Sequence, residues 1–320
     1  MRVVCSPSTV LLPLLATLLV ACSGPEEVPP AEPTAVGRAA YERQLELESG
    51  ARLTADGLAQ LAQQASEAIE ARMDRLAAEL SGDDDWRETF VELRGQHPED
   101  GAGVLELYRR EVTRAAEFAA AHDLLTLPPD DLEVVEAANP IIRRSFPLAL
   151  YLDGKLGVTT SATAEPDSGY LANHCYVCVP PLAVHEAYPG HHVSFWQMER
   201  TAPPRGMGPV SPEERPLNMF FLEGWALYSE LLMLEQGYYA GHPEEELGAW
   251  RSLLHRALRA RVDPLLHSGE LDVEEAVELY RRELLMTEDA ARTEVRRHLD
   301  LPTNTATYFV GLLQILELRE

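Results

Sequence analysis

The chain has 320 residues, a hydrophobic fraction of 46% and a formal net charge of -25 at pH 7. This length accommodates one large or two small domains. So acidic a surface argues against nucleic acid and anionic lipid as binding partners, although it identifies no substrate.

The first residues predict an export signal. An apolar stretch follows Arg2 over residues 10–21, and it is too short for a transmembrane helix, which needs about 20 residues. It ends in small residues directly before Cys22, a pattern that resembles a bacterial lipobox. We therefore predict a signal peptide over residues 1–21 and an exported bacterial lipoprotein, joined to the membrane by lipid on Cys22. Ser23 favours the outer membrane, facing the periplasm; an ordinary secretory signal or a short anchor is the alternative.

Residues 22–36 predict an acidic, proline-rich tether that cannot bury a core. From residue 37 onward, apolar residues recur at intervals of three and four, which predicts helices. The predicted helices of this N-terminal helical region, residues 37–140, are 39–48, 58–80, 84–94 and 103–122, and Thr54 is a candidate N-cap.

The residue pattern changes near residue 140. Glycine, proline and β-branched residues in 145–163 and 169–181 predict short strands or extended segments. Helices are predicted again after residue 182, apart from a loop rich in proline and glycine over 201–216. The later predicted helices are 217–234, 244–262, 273–285, 288–299 and 305–318. Residues 141–320 thus form the predicted catalytic region, and the fold class is mainly α with a few short strands beside the active-site helix.

Two cysteines follow the predicted lipid site, Cys175 and Cys178, in the spacing Cys-x-x-Cys. In an oxidising compartment this spacing favours a small-loop disulfide. Free thiols, a redox pair and half of a metal site are the alternatives. The sequence has no second cysteine pair to complete a four-cysteine zinc site.

A segment that begins at His185 reads His-Glu-Ala-Tyr-Pro-Gly-His-His and predicts a zinc hydrolase. On an undistorted helix His191 would lie about 120° away from His185, and His192 would return to the same face about 10.5 Å further along the axis. Pro189 must break or bulge the helix, because it lacks an N–H and crowds the carbonyl of His185. Gly190 permits the unusual backbone angles of such a break. We therefore expect the break to bring His191 back to the metal ion.

Three acidic residues complete the predicted site. Glu186 is the expected general base. Glu223, in Glu-Gly-Trp-Ala, is the expected third ligand, contributed by another helix. Glu230 lies on nearly the same helix face and suits a hydrogen bond to a ligand or a place in the cleft. His192 is predicted to support the site or to pack in the core, and Tyr228 is either packed or catalytic.

The two motifs, His-Glu-x-x-Pro-Gly-His-His and Glu-Gly-Trp-Ala-Leu-Tyr, resemble the bacterial family called domain of unknown function 885. That family resembles the gluzincin peptidases, whose Zn²⁺ is held by two histidines and a glutamate. The resemblance implies a zincin-like helical fold, with His185, His191 and Glu223 as ligands and Glu186 as base. Family members vary at the position of His192, which favours His191 as the ligand.

The resemblance continues to the C-terminus, where its matches are weaker. It implies that Tyr308 donates a hydrogen bond to the oxyanion and that Arg259 or Arg261 binds a substrate carboxylate. The resemblance also implies that Asp263 and His267 hold the site residues in position without binding the metal themselves. A packed tyrosine and surface salt bridges are the alternatives. Family members are often nearly twice as long, which leaves the shape of the cleft and the substrate range open.

We therefore expect a membrane-tethered zinc metallohydrolase, a carboxypeptidase or oligopeptidase that acts on short peptides. Hydrolysis of a non-peptide amide or ester is one alternative. A lipoprotein that binds peptide or metal without turnover is another, and a thiol-redox protein is a third. The sequence leaves the oligomeric state and the choice between exo- and endopeptidase open.

Overall fold

Helices form most of the molecule, and one small sheet packs beside them. The computed structural model describes residues 34–82, 84–139, 148–152, 154–160, 171–201 and 217–320. The helices are α1 (Arg38–Ser49), α2 (Ala55–Leu80), α3 (Trp86–Arg94), α4 (Gly101–Ala121), α5 (Val179–Glu186), α6 (His191–Arg200), α7 (Met219–Glu235), α8 (Pro243–Ser268), α9 (Val273–Leu284), α10 (Glu288–Asp300) and α11 (Thr307–Arg319). The strands are β1 (Glu133–Glu136), β2 (Ala149–Leu152) and β3 (Lys155–Val158). Short 3-10 turns span Ala172–His174 and Asn304–Ala306. The mainly helical fold class is thereby confirmed.

Helix α8 is the central element. It packs along α2 and also contacts α1, α3, α5, α7 and the helices that follow it. Pro243 lies in its first turn, where a missing N–H is tolerated, and Gly269 ends it with a left-handed φ of 80°. We predicted an end at Val262, but the helix continues through Pro264 to Ser268. The extra turns are held by the packing of the buried Leu266 in the core shared with α9 and α10.

The sheet has the order β1-β3-β2, with β1 parallel and β2 antiparallel to β3. Because Leu148 accepts the backbone hydrogen bond of Thr159, alternation along β2 directs the N–H of Tyr151 away from β3. This outer edge of β2 lies against α5. The two strands within 145–163 were predicted, whereas β1 was not.

Local capping explains several helix starts. Thr54 accepts the N–H of Gly57 at 3.0 Å, which confirms its predicted role as an N-cap. Asp272 and Glu275 form a reciprocal capping box at the start of α9. The extended structure predicted through residue 181 was wrong in its second part, because α5 begins at Val179 with Pro180 and Pro181 in its first turn.

The predicted signal peptide, the lipid site Cys22 and the tether up to residue 33 lie outside the described residues. The same holds for residues 202–216 of the predicted loop. Within the described part of the chain, no helix is both long and apolar enough to span a membrane.

Two glycines set the contact between α7 and α11. A Cβ built on Gly224 would lie 2.5 Å from the Cα of Gly311, and one built on Gly311 would overlap with the carbonyl oxygen of Phe220. No side chain fits between the two backbones here. The contact therefore fixes Glu223, beside Gly224, relative to the first turn of α11.

We predict that Gly224→Ala lowers the free energy of unfolding by about 2–3 kcal/mol, because the added methyl group forces α7 and α11 apart. Gly157→Ala is the control, since its Cβ would meet Leu150 O at an ordinary 3.6 Å. Urea denaturation of both variants measures the difference. Equal stability of Gly224→Ala and the wild type would show that the helices are free to separate.

Candidate metal centre

A sharp break between α5 and α6 brings the two motif histidines together. Helix α5 ends at Glu186 and α6 begins at His191, so the intervening residues 187–190 leave the helical path. The N–H of Gly190 donates to the carbonyl of Val184 at 3.1 Å. A Cβ on Gly190 would overlap with the carbonyl oxygen of His185, so the break requires glycine at this position. The predicted interruption at Pro189-Gly190 is confirmed.

Helix α7 holds this break from the other side. The indole Nε1–H of Trp225 donates to the carbonyl of Pro189 at 2.9 Å. Trp225 is half-buried, and this bond ties it to the break. The Trp of the Glu-Gly-Trp-Ala motif thus positions the first motif, and the signal for this role was its place two residues after Glu223.

His185, His191 and Glu223 converge on one point. The Oε2 atom of Glu223 lies 3.4 Å from Nε2 of His185 and 3.4 Å from Nε2 of His191. That oxygen is buried and accepts no hydrogen bond from the described residues. Both imidazoles are buried as well. A buried carboxylate oxygen that has no hydrogen bond and faces two imidazole nitrogens is typical of a cation site.

A second carboxylate orients His185. Glu230 is fully buried, and its Oε1 lies 2.7 Å from Nδ1 of His185. We assign the proton of His185 to Nδ1, because a carboxylate can only accept. A cation bound beside Glu223 would displace the proton on Nε2 and take its lone pair, as in carboxylate–histidine–metal arrangements.

The charges of this cluster are strongly coupled. Burial disfavours a charged imidazole, but the carboxylates of Glu223 and Glu230 outweigh it and raise the pKa of His185 to about 9. Burial alone would raise the pKa of the Glu223 carboxyl, but His191 and His185 hold it well below its ordinary value. The buried carboxylate is therefore ionised and suited to bind a cation.

Glu186 lies beside the two imidazoles in a different role. Its ligand atom and those of His185 and His191 lie within 4.8 Å of one another. The Oε2 atom of Glu186 accepts the backbone N–H of Tyr151 at 2.8 Å, from the outer edge of β2. This bond fixes one of the two carboxylate oxygens of Glu186.

Tyr308 lies over the ligand pair at the start of α11. Its ring stacks on His185 with a centroid distance of 5.9 Å. Burial, followed by the charge of Glu223, raises the pKa of its phenol. The hydroxyl therefore stays protonated at neutral pH and can donate a hydrogen bond.

His192 and Tyr228 lie outside the ligand cluster. The Nδ1 atom of His192 lies 3.2 Å from the hydroxyl of Tyr151, and burial lowers the pKa of His192 to about 4. Tyr228 packs against Trp225 at 5.7 Å and lies under the guanidinium of Arg319. His192 thus supports strand β2, and Tyr228 is packed.

The two predicted arginines are already paired. Arg261 contacts both carboxylate oxygens of Glu283 at 3.2 Å, and it therefore faces α9 rather than the metal centre. Arg259 forms an ion pair with Glu294, and its guanidinium carbon lies 5.3 Å from the ring centroid of Tyr308. Only Arg259 of this pair reaches the neighbourhood of the site.

Asp263 and His267 belong to a different buried network, so their implied support of the metal centre is corrected. Asp263 accepts from Tyr41 at 2.8 Å and contacts His298 at 2.7 Å. The Nε2 atom of His267 bonds to the carbonyl of His298 at 3.0 Å. Asp263 and His267 lie four residues apart on α8 and connect this helix to α1 and α10. Their role is therefore structural.

Cys175 and Cys178 form a disulfide. It closes the turn just before α5, where the N–H of Cys178 also donates to Cys175 O at 2.9 Å. Between them, the carbonyl of Val177 packs against Gly248 of α8 so closely that a Cβ on Gly248 would overlap with it. The disulfide loop therefore anchors the start of the helix that carries His185.

The donor set fits zinc. Catalytic Zn²⁺ takes three protein ligands, commonly two imidazoles and a carboxylate, and keeps one position open. With bonds of about 2.0–2.1 Å, two donors of a tetrahedral zinc lie about 3.4 Å apart, which matches the distances from Glu223 to both histidines. Glu186 is the poorer ligand candidate, since Tyr151 already holds its Oε2.

We predict that Glu230→Gln weakens zinc binding by about 10–100-fold, because it removes the charged partner that orients His185. Glu235→Gln on the same helix is the control, since Glu235 pairs with Arg319 at the surface. Competition with a chromogenic chelator measures both affinities. Equal zinc affinity of the two variants would contradict the role of Glu230.

The chain belongs to the family described as "Bacterial protein of unknown function (DUF885)", whose pattern matches residues 15–320. No curated protein matches it in sequence. A "putative lipoprotein of unknown function" from Shewanella oneidensis has a similar structure, with a TM-score of 0.75, 21% identity, and coverage of 89% of this chain and 53% of its own. A "putative lipoprotein" from Colwellia psychrerythraea gives a TM-score of 0.72 and 22% identity over 89% of this chain and 50% of its own. The chain thus spans about half the length of these two proteins, with which it shares the fold.

Proposed function

We propose that this member of the family is a zinc-dependent peptidase of the gluzincin type. The observation that supports this most directly is the convergence of His185 and His191 on Glu223, each at 3.4 Å, with Glu186 beside them. Two imidazoles, one carboxylate ligand and a separate carboxylate base are the parts of a zinc peptidase. His185, His191 and Glu223 would hold the zinc ion, which supplies Lewis acidity toward water and the amide carbonyl when bound.

Residues around the ligands would carry out proton transfer and stabilise the oxyanion. Oε1 of Glu186 accepts a proton from the attacking water and returns it to the leaving amine nitrogen. The N–H of Tyr151 keeps the Glu186 carboxylate in place through Oε2. The protonated phenol of Tyr308 donates a hydrogen bond to the oxyanion that forms on the former carbonyl oxygen.

We further propose that the enzyme is tethered to a bacterial membrane by lipid on Cys22, on the periplasmic side of the outer membrane. The apolar segment and small residues before Cys22 support this. The two similar structures are also described as putative lipoproteins. The acidic linker after Cys22 would hold the catalytic region away from the lipid surface.

We predict that Glu186→Gln keeps the zinc and lowers kcat for peptide hydrolysis by about 10²–10⁴-fold, the range for a lost general base. Glu223→Gln should instead lose the zinc, because the variant removes an anionic ligand. Elemental analysis and cleavage of a mixed peptide library separate the two effects. A wild type that binds no zinc would contradict the ligand assignment, and zinc without cleavage would contradict the peptidase.

We predict that Tyr308→Phe lowers kcat by about 10²–10³-fold, the cost of one lost oxyanion donor. Zinc content and KM should stay near those of the wild type, since the ring and its stacking are retained. Tyr228→Phe is the control, because Tyr228 packs outside the ligand cluster. Steady-state kinetics on one cleaved peptide compare the variants, and similar kcat values for both would assign Tyr308 to packing alone.

A further inference from the structure

Arg256 lies next to the candidate active site. Its guanidinium carbon is 5.2 Å from the ring centroid of Tyr308, and that ring stacks on His185 at 5.9 Å. Together, these two distances mean that the Arg256 guanidinium lies at most about 11 Å from the His185 ring. A molecule bound at the metal centre is therefore within reach of Arg256.

Unlike its neighbours, Arg256 has no anionic partner among the described residues. Arg259 is paired with Glu294, and Arg261 with Glu283. The Nε atom of Arg256 is buried without a hydrogen bond in the described part of the chain. Its NH1 contacts Nδ1 of His255 at 3.1 Å, but burial and then the charge of Arg259 lower the pKa of His255 to about 3. That imidazole is neutral and cancels no charge.

Two further arginines add to this positive region. Arg251 donates to the carbonyl of Leu284 at 2.7 Å and Arg94 to that of Leu285 at 3.2 Å. Neither forms an ion pair with a described carboxylate. Burial, followed by the like charges of Arg94 and Arg256, lowers the pKa of Arg251 to about 9. In a chain of net charge -25, three guanidinium groups that have no carboxylate partner among the described residues favour an anionic ligand.

We propose that Arg256 binds the C-terminal carboxylate of the peptide substrate, so that the enzyme releases short fragments from the C-terminal end. The proposal rests on the peptidase function. An extended peptide spans about 3.3–3.6 Å per residue, and the limit of about 11 Å therefore allows fragments of one to three residues. A guanidinium recognises a carboxylate through two parallel hydrogen bonds, and the Arg256 side chain is partly exposed.

The test compares one peptide library synthesised with free C-terminal acids and again with C-terminal amides, on the full chain. The wild type should cleave the acids with a kcat/KM about 100-fold or more above that of the amides. Arg256→Gln should reduce this ratio to near one by losing activity on the acids. Arg256→Lys should recover part of the ratio.

Arg261→Gln is the matched control, because Arg261 lies on the same helix and pairs with Glu283. It should keep the acid-to-amide ratio of the wild type. Thermal melting and zinc content establish that each variant is folded and loaded. Cleavage of acids and amides at equal rates by the wild type, or an unchanged ratio in Arg256→Gln, overturns the role of Arg256.

A binding measurement tests Arg256 without turnover. Calorimetry on Glu186→Gln, with and without Arg256→Gln, uses acetyl-tetraalanine as the free acid and as the amide. If the acid binds more tightly than the amide and Arg256→Gln abolishes this difference, Arg256 binds the carboxylate. This conclusion holds even if no library peptide is cleaved, a result that would contradict the peptidase function alone. Equal binding of acid and amide, or no binding of either, overturns it.

Discussion

The close approach of Gly190 to the carbonyl of His185 is the constraint on which the site depends. Two histidines six residues apart cannot share a face of a regular helix. The chain solves this by leaving the helix at residues 187–190, where no side chain fits at Gly190. The Gly190 N–H bonds to Val184, and Trp225 bonds to Pro189, so the break is held from both sides. The metal centre is thus built from an interrupted helix.

A second close backbone contact positions Glu223 and Tyr308 at the candidate metal centre. Gly224 and Gly311 bring α7 and α11 together without intervening side chains. As a result, the ligand candidate Glu223 on α7 and Tyr308 on α11 are held in fixed positions relative to each other.

The sequence predicted what depends on local pattern. Helical periodicity located most helices, and the Pro-Gly pair predicted the break before His191. The sequence-based prediction failed where contacts between distant segments determine the structure. Helix α5 begins at Val179, directly before its two prolines, where Val177 is held against Gly248. Asp263 and His267 are spaced like site residues on α8, yet they bond to Tyr41 and His298 from distant segments. Spacing along a helix does not reveal which neighbour covers each face.

The arginines near the candidate site also differ in their neighbours, which the sequence does not show. Arg259 and Arg261 were the arginines that the resemblance implied, but Glu294 and Glu283 neutralise them. A charge that is already paired gains little from a substrate carboxylate, since the ion pair must first be broken. Arg256 has no such partner among the described residues, and its guanidinium lies over the ring of Tyr308, which stacks on the ligand candidate His185. In the proposed peptidase, the candidate metal centre would supply the catalytic group at one end of a bound peptide, and Arg256 would supply the countercharge at the other.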